Sequence, residues 1–239
     1  MISVVIPVGP HQIYRKWLPE AIHSVLVQDF QGEIEIVLID DYAHVSQQEF
    51  YDLVKTVDSE AIVLENNAFS TNRTIRLYQT WWNVGVADAF NFGVALSENE
   101  LVFMLGSDDK LMPECLSECH KAWQKNGQRD AWYSVTIQYE SGALQAIPCN
   151  AAMVTKNLWK WTGGFPPSAG VGACDAIVLS ILMKHAPDKI VKVKEGTPLC
   201  WLREHEHQDT KKNAWFYNPE IISIRNKETE RFVPKKIEG

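Results

Sequence analysis

Leu101-Val102-Phe103-Met104-Leu105-Gly106-Ser107-Asp108-Asp109 is the stretch whose reading decides the fold. An apolar run this short, stopped by Gly-Ser-Asp, describes a strand covered on both faces, as in a parallel sheet flanked by helices. The same grammar recurs upstream. Residues 34–39 form a second such run that ends at Asp40-Asp41, and residues 2–6 a third, stopped by Pro7, Gly9 and Pro10. Between the runs, apolar residues fall at helical spacing: Leu18, Ile22, Val25 and Leu26 within 14–27, then 50–57, 83–96 and 112–123. Strand then helix, repeated, predicts an open α/β sheet.

The rest of the chain is less periodic. Residues 61–64 and 75–78 read as strands joined by a polar segment, 66–73. Further strands are expected at 131–139, 149–154, 190–193 and 197–202, a loop at Gly163-Gly164-Phe165-Pro166-Pro167, and a helix at 175–185. No Pro- or Ser-rich linker divides the 239 residues, so one domain with two functional lobes is expected. Hydrophobic residues at 46% and charged residues at 22% are ordinary for a globular chain, which argues against disorder of its body.

Charge narrows the function classes. With 23 Lys+Arg against 30 Asp+Glu the net charge is −7, which excludes a general nucleic-acid binder with a basic face. The mixed charges near the end (Arg225, Lys227, Arg231, Lys235 and Lys236 beside Glu228, Glu230 and Glu238) read as a solvated tail, with membrane association at most peripheral. No run approaches the roughly 18 apolar residues of a membrane span, and the N-terminus reads as a strand and not as a secretory signal. Cys115, Cys119, Cys149, Cys174 and Cys200 are odd in number and irregular in spacing, which argues against a disulfide framework. Cys115 and Cys119, with His120 beside them, sit one helical turn apart without a second ligand pair at zinc spacing, so buried thiols are expected. Reduced thiols imply a cytoplasmic protein.

Two core strands end in carboxylate pairs, Asp40-Asp41 and Asp108-Asp109. In open α/β sheets ligands bind beyond the carboxyl ends of the strands. Adjacent carboxylates repel, a penalty that a divalent cation removes, and Mg²⁺ or Mn²⁺ favours such oxygens together with substrate phosphates. The competing reading is that one Asp of each pair caps the following turn. Two pairs on successive core strands tip the balance toward function.

These residues resemble the family 2 inverting glycosyltransferases of the GT-A fold. The first block runs Ser3-Val4-Val5-Ile6-Pro7-Val8, Leu18, Ala21-Ile22, Ser24-Val25-Leu26, Gln28 and residues 35–41. The second is Asn83-Val84-Gly85 with Ala87, Ala89, Asn91 and Gly93, and the third is residues 103–109 with Pro113. Gly163-Gly164-Phe165 with Asp175, then Arg203, His205, Gln208 and Thr210, complete the order. The resemblance implies a mixed, mostly parallel sheet, with a GT-A domain over 1–217 and a C-terminal extension over 218–239. Residues 1–110 would bind the nucleotide sugar and 111–217 the acceptor. It implies that Pro7, Val8, Asp40, Asp41, Asn83 and Asp108 hold the nucleoside diphosphate sugar. Asp108, Asp109 and His205 would hold Mn²⁺ or Mg²⁺, and Asp175 would be the general base toward a hydroxyl of a glycan or lipid-linked acceptor. His207 competes with His205, whose place in the Arg-x-His-x-x-Gln-x-Thr spacing favours it. Arg73 or Arg76 would meet the diphosphate, or be a solvated loop arginine, and Trp159 or Trp161 is the first place to look for an acceptor contact. Gly106 stands where the family often has Asp, Cys174 where it often has Glu, and Gly9-Pro10 where an aromatic is common.

Two rivals follow from the same residues. A sugar nucleotidyltransferase would carry a Gly- and Arg/Lys-rich phosphate loop near the N-terminus, and residues 8–16 do not have that character. A glycan- or nucleotide-binding protein that keeps the fold without catalysis is supported only by Gly106 and Cys174.

Overall fold

The apolar strands read from the sequence are buried along their whole length, and the helices cover them. The structure, a computed structural model, describes residues 1–145, 151–166, 174–206 and 219–233. The chain runs β1 (Ile2–Val8), α1 (Gln12–Leu26), β2 (Ile34–Asp40), α2 (Gln47–Val57), β3 (Ile62–Leu64), β4 (Asn67–Ser70), β5 (Arg73–Gln79), α3 (Val86–Leu96), β6 (Leu101–Met104), β7 (Lys110–Leu111) and α4 (Cys115–Lys125). It continues with β8 (Trp132–Tyr139), β9 (Leu144–Gln145), β10 (Ala152–Thr155), α5 (Lys156–Thr162), α6 (Cys174–His185), β11 (Ile190–Leu202) and α7 (Pro219–Arg231).

One mixed sheet results, in the order β3-β4-β5-β2-β1-β6-β10-β8-β11-β7, with β9 on β8. Its nucleus is parallel: β5, β2, β1 and β6 all point the same way. In register, Val8 of β1 sits beside Asp40 of β2, and Asp40 beside Gln79 of β5, so the carboxyl ends form one row. The chain leaves β1 for β2 on one side and returns to β6 on the other. That reversal opens a crevice at the ends of β1 and β6, where such sheets bind ligands.

Three local devices fix this edge. Gln28, just past α1, donates from Nε2 to the Ser24 and Met112 carbonyls and accepts the Leu116 N–H on Oε1 at 2.9 Å. The Ser24 hydroxyl accepts the Leu111 N–H at 3.1 Å. The end of α1 thus holds the segment that follows Asp108-Asp109. Gly93 lets α3 lie flat on β1, because a Cβ there would fall onto the Val5 side chain. Finally, Asn91 on α3 makes a reciprocal pair with Phe165, donating to its carbonyl at 2.8 Å and accepting its N–H at 2.9 Å. Gly164, at φ +75°, brings that loop in so tightly that a Cβ would stand 2.5 Å from Asn91 Oδ1.

Several elements depart from the sequence expectation. The polar segment 66–73 contains β4, an edge-region strand paired antiparallel to β3 and β5. The strands expected at 190–193 and 197–202 are one strand, β11, with its register shifting between Val193 and Pro198, where Lys194 and Gly196 take positive φ. The charge-mixed end is no solvated tail over its described part. Helix α7 packs on α6, and Phe232 stacks at 5.1 Å on Trp161 and 5.4 Å on His185. Cys115 and Cys119 are fully buried in α4, as expected, while Cys149 lies outside the described residues.

The α3–β1 contact generates a test. Gly93→Ala inserts a methyl group where Val5 already sits, and overpacking of this kind costs about 1–3 kcal/mol. The melting temperature should fall by several degrees, whereas Gly9→Ala, whose Cβ would meet the Tyr14 ring at 3.6 Å, should change it little. An unchanged melting point for Gly93→Ala would show that the two elements can part without cost.

Candidate active site

The two carboxylate pairs at the strand ends are met in different ways. Asp40 is buried, and its carboxylate collects the N–H groups of Ala43 (2.5 Å), His44 (3.1 Å) and Val45 (2.8 Å) together with Gln79 Nε2 (3.0 Å). Four donors fill the acceptor capacity of an ionised carboxylate. This cage holds Tyr42 and His44 in the left-handed region, at φ +61° and +57°. Asp41 accepts the Val84 N–H at 2.7 Å, the Gly85 N–H at 2.9 Å and the Thr80 hydroxyl at 3.3 Å. It therefore pins the loop that enters α3, and Asn83 adds its own bond to the Gly85 N–H at 2.9 Å. Asn83 is exposed at this rim, and Trp81 and Trp82 beside it are 90% and 65% exposed. Pro7 and Val8 are buried in β1, whose last carbonyl accepts the Asp41 N–H at 2.9 Å.

Across the crevice, Asp108 and Asp109 follow β6. Asp109 is buried, and among the described residues its carboxylate accepts one hydrogen bond, from the Arg203 N–H at 3.1 Å. Burial, with the neighbouring Asp108 charge added, pushes its carboxyl well above the usual range. Asp108 Oδ2 lies 2.9 Å from His205 Nε2, and its carbonyl accepts Arg203 Nε at 3.2 Å. The turn leading into the pair is open on one side only because residue 106 is glycine. A Cβ there would stand 2.8 Å from Asp108 Oδ1 and 2.7 Å from Asp109 Oδ2. Both carboxylates thus aim an oxygen at the space beside Gly106.

Behind them stands a stack of rings and cations. The Arg203 guanidinium lies between Trp17 of α1 (4.7 Å) and Trp201 of β11 (5.0 Å), and Lys110 covers the Trp201 ring at 4.2 Å. Glu20 closes the stack, bonding Arg203 Nη2 at 2.9 Å and Lys110 Nζ at 3.3 Å. Partial burial raises the Glu20 carboxyl, but Lys110 and Arg203 outweigh it and hold it below its ordinary value. The sequence reading missed Trp17, Glu20 and Lys110. Their residue types are ordinary for a helix face and a turn, and only the register of β7 on β11, Lys110 beside Trp201, brings them together.

Asp175 is buried in the first turn of α6, where its Oδ1 accepts the Ala176 N–H at 2.8 Å. Residues 167–173 before it, and His207, Gln208 and Thr210, lie outside the described residues. Two expectations are corrected. Arg73 spends its guanidinium on the carbonyls of Leu26, Gln28, Phe30, Gly32 and Asn72, and Arg76 pairs with Glu35 (2.5 Å) and Glu98 (2.6 Å). Arg73 begins β5, at the opposite end of the sheet from the crevice, and Arg76 is tied to Glu35 at the start of β2, so neither meets a diphosphate there. Trp159 and Trp161 are 7% and 8% exposed, in the core against Phe165 and Phe232, and offer no open face to a sugar.

Residues 3–150 match the profile of glycosyl transferase family 2. The chain belongs to that family. No curated protein matches its sequence. Among solved structures it superposes on S. aureus TarS 1–349 in complex with UDP at a TM-score of 0.65 and 17% identity, covering 95% of this chain and 64% of that one. The complex of TarS 1–349 with UDP-GlcNAc gives 0.67 and 17%, over 95% and 66% of the two chains. A further S. aureus TarS structure gives 0.64 and 15%, over 95% and 39%. The chain therefore spans less than two-thirds of the length of these TarS chains, and at such identity the likeness establishes the fold, GT-A.

Asp108, Asp109 and His205 at the end of β6 offer two carboxylates and an imidazole that could hold a hard divalent cation, and one oxygen of each carboxylate closes on Gly106. Among the described residues no three His, Cys, Asp or Glu side chains enclose an ion by themselves. Mg²⁺ and Mn²⁺ sites are ordinarily completed by water and substrate phosphates. Gly106→Ala tests the placement of the two carboxylates, because its Cβ would stand 2.7 Å and 2.8 Å from their oxygens and push them aside. It should leave the melting temperature within a few degrees of wild type while removing any stabilisation that Mn²⁺ adds to UDP in a thermal-shift titration. Retention of a Mn²⁺ effect in Gly106→Ala would mean that the placement of the carboxylates about residue 106 does not govern cation binding.

Proposed function

We propose that this chain is a metal-dependent inverting glycosyltransferase that moves a sugar from a nucleoside diphosphate sugar to a hydroxyl of a glycan or lipid-linked acceptor. The observation that carries the reading is the contrast between the two acidic pairs. Asp40 and Asp41 are met by hydrogen-bond donors of the chain itself, whereas buried Asp109 has one donor among the described residues and stands with Asp108 on the turn beside Gly106. The S. aureus TarS complexes hold UDP and UDP-GlcNAc, which makes a uridine diphosphate sugar the first donor to try.

In this reading the row formed by Pro7, Val8, Asp40, Asp41 and Asn83 lines the nucleoside. Asp40 and Asp41 act by fixing the loops 41–45 and 83–85 around it, since their oxygens are already engaged. Asp108, Asp109 and His205 hold Mn²⁺ or Mg²⁺, which when bound neutralises charge building on the departing diphosphate. Asp175 takes the proton from the acceptor hydroxyl as its oxygen bonds to the anomeric carbon. The bond from that carbon to the diphosphate breaks, its electron pair leaving with the diphosphate oxygen, and attack from the opposite face inverts the centre. Residues 1–110 serve the donor and 111–217 the acceptor, with 218–239 as an extension. The buried thiols of Cys115, Cys119 and Cys200 suit a cytoplasmic setting.

Two experiments bear on this. UDP with Mn²⁺ should raise the melting temperature of the wild type, by about 2.7 kcal/mol of stabilisation at 100 times the dissociation constant. Asp108→Ala and Asp109→Ala should lose the metal-dependent part. Equal shifts in all three proteins would sink the metal assignment. For the base, Asp175→Asn preserves the helix-capping chemistry of residue 175. It should keep UDP binding and stability but lower transfer by about 10²–10⁴-fold, the usual contribution of a general base. Transfer within a few-fold of wild type would remove Asp175 from the mechanism.

A further inference from the structure

The cation site of the preceding reading is assembled from segments far apart in sequence: the turn 106–109 after β6 and the end of β11 at Arg203 and His205. Hydrogen bonds join the two directly, and a packed ring adds to what they hold. Trp17 touches both the imidazole and the guanidinium. The Trp17 ring stands 4.5 Å from the His205 ring and 4.7 Å from the Arg203 guanidinium. Those two groups are also the ones bonded to Asp108, through Oδ2 and through the carbonyl. Trp17 lies on α1, whose far end is bolted by Ser24 and Gln28 to the segment just after Asp109. The same helix therefore braces the acidic turn from both sides.

We propose that Trp17 is a positioning residue, whose ring fixes His205 and Arg203 and thereby sets the spacing of Asp108, Asp109 and His205 for a divalent cation. The physical basis is the attraction of a cation for the face of an indole, strongest where water is kept away. Arg203 is enclosed by two such faces, and Trp201 is shared between Arg203 and Lys110, with Glu20 bonded to both cations. Lys110 directly follows Asp109, and the Arg203 backbone N–H donates to Asp109, so the stack grips the acidic turn at its carboxylate and at its next residue. Outer partners of metal ligands act in this way, orienting the ligands without touching the ion.

The inference rests on the metal reading above, and the test separates the two. Mn²⁺ is titrated into the full chain in the presence of saturating UDP and followed by electron paramagnetic resonance, for wild type, Trp17→Leu, Trp17→Phe and Glu20→Gln. Trp17→Leu should weaken Mn²⁺ binding by about 10–100-fold, the range found when outer partners of ligands are removed, while Trp17→Phe, which keeps an aromatic face, stays much nearer wild type. Glu20→Gln, which leaves the apolar packing untouched, should fall between them and guards against a Trp17→Leu protein that does not fold. A second readout needs no metal. Amide hydrogen exchange at Arg203 should quicken by about tenfold in Trp17→Leu and not in Trp17→Phe, because local opening there is what the ring prevents. A Trp17 that merely fills space would lower the melting temperature without this split. Mn²⁺ binding equal in wild type and Trp17→Leu overturns the proposal. Failure of the wild type to bind Mn²⁺ overturns the metal reading instead, and unchanged Arg203 exchange in Trp17→Leu then overturns the positioning role as well.

Discussion

A carboxylate taken out of water must be answered by N–H donors or by a cation, and the architecture of this crevice follows from how that demand is met at two strand ends. Asp40 is answered four times over, and the answer costs the chain an unusual loop with Tyr42 and His44 both in left-handed conformation. Asp41 is answered by the amides that begin α3. These two acids therefore act as anchors that give this side of the crevice its shape. Asp109 is just as buried but is answered by one amide among the described residues, and its neighbour Asp108 turns an oxygen toward the same space. Among the described residues the donors are many at one end of the crevice and few at the other, and burial with the Asp108 charge added makes ionisation of Asp109 costly.

A pair of carboxylates is useful only if it stays where it is put. Like carboxylates side by side push apart, so the turn that carries them has to be held by groups outside the pair. Here the holding is done at three levels: Gly106 removes the side chain that would block convergence, Ser24 and Gln28 clamp the segment after the turn, and the Trp17–Arg203–Trp201–Lys110 stack fixes its neighbours from β11. The glycine that departs from the family pattern is explained by this arrangement. A third carboxylate at residue 106 would enter a space that the other two already bound.

The parallel nucleus of the sheet was legible because its strands are covered on both faces, and an apolar run of four to seven residues has few other uses in a chain of this composition. The polar edge was not. Asn67-Ala68-Phe69-Ser70 carries one buried residue, Ala68, and is a strand because β3 and β5 offer it edges on both sides. Helix α5 escaped notice because seven residues give too few turns for a period, although Thr155, which accepts the Leu158 N–H, is a start signal in plain view. At the site, the two Asp-Asp pairs are indistinguishable in sequence, each following a buried strand. What separates them is the next few residues. After Asp41 the chain curls so that three successive amides face back toward Asp40, whereas after Asp109 it enters the short strand β7 and its amides go elsewhere. Arg73 and Arg76 were misplaced for a related reason: sequence distance from the acidic pairs says nothing about which end of a parallel strand a residue occupies.

The two halves of the chain are joined, among the described residues, by a fixed geometry. Asn91 on α3 binds Phe165 through both its amide atoms, and Gly164 brings the backbone in close enough for that to happen. Helix α3 begins where Asp41 holds it and rests on β1 through Gly93. A path of hydrogen bonds and close packing thus runs from the rim at Asp41, along α3, to the loop at Gly164 and Phe165. The trade is rigidity for accuracy. Under the mechanism proposed above, a base that meets an acceptor hydroxyl as the diphosphate departs has to stand at a set distance from the donor, and a tenfold loss of rate corresponds to only about 1.4 kcal/mol of misplacement. Helix α3, pinned at its start by Asp41 and at its middle to Phe165, is the element that can transmit that distance.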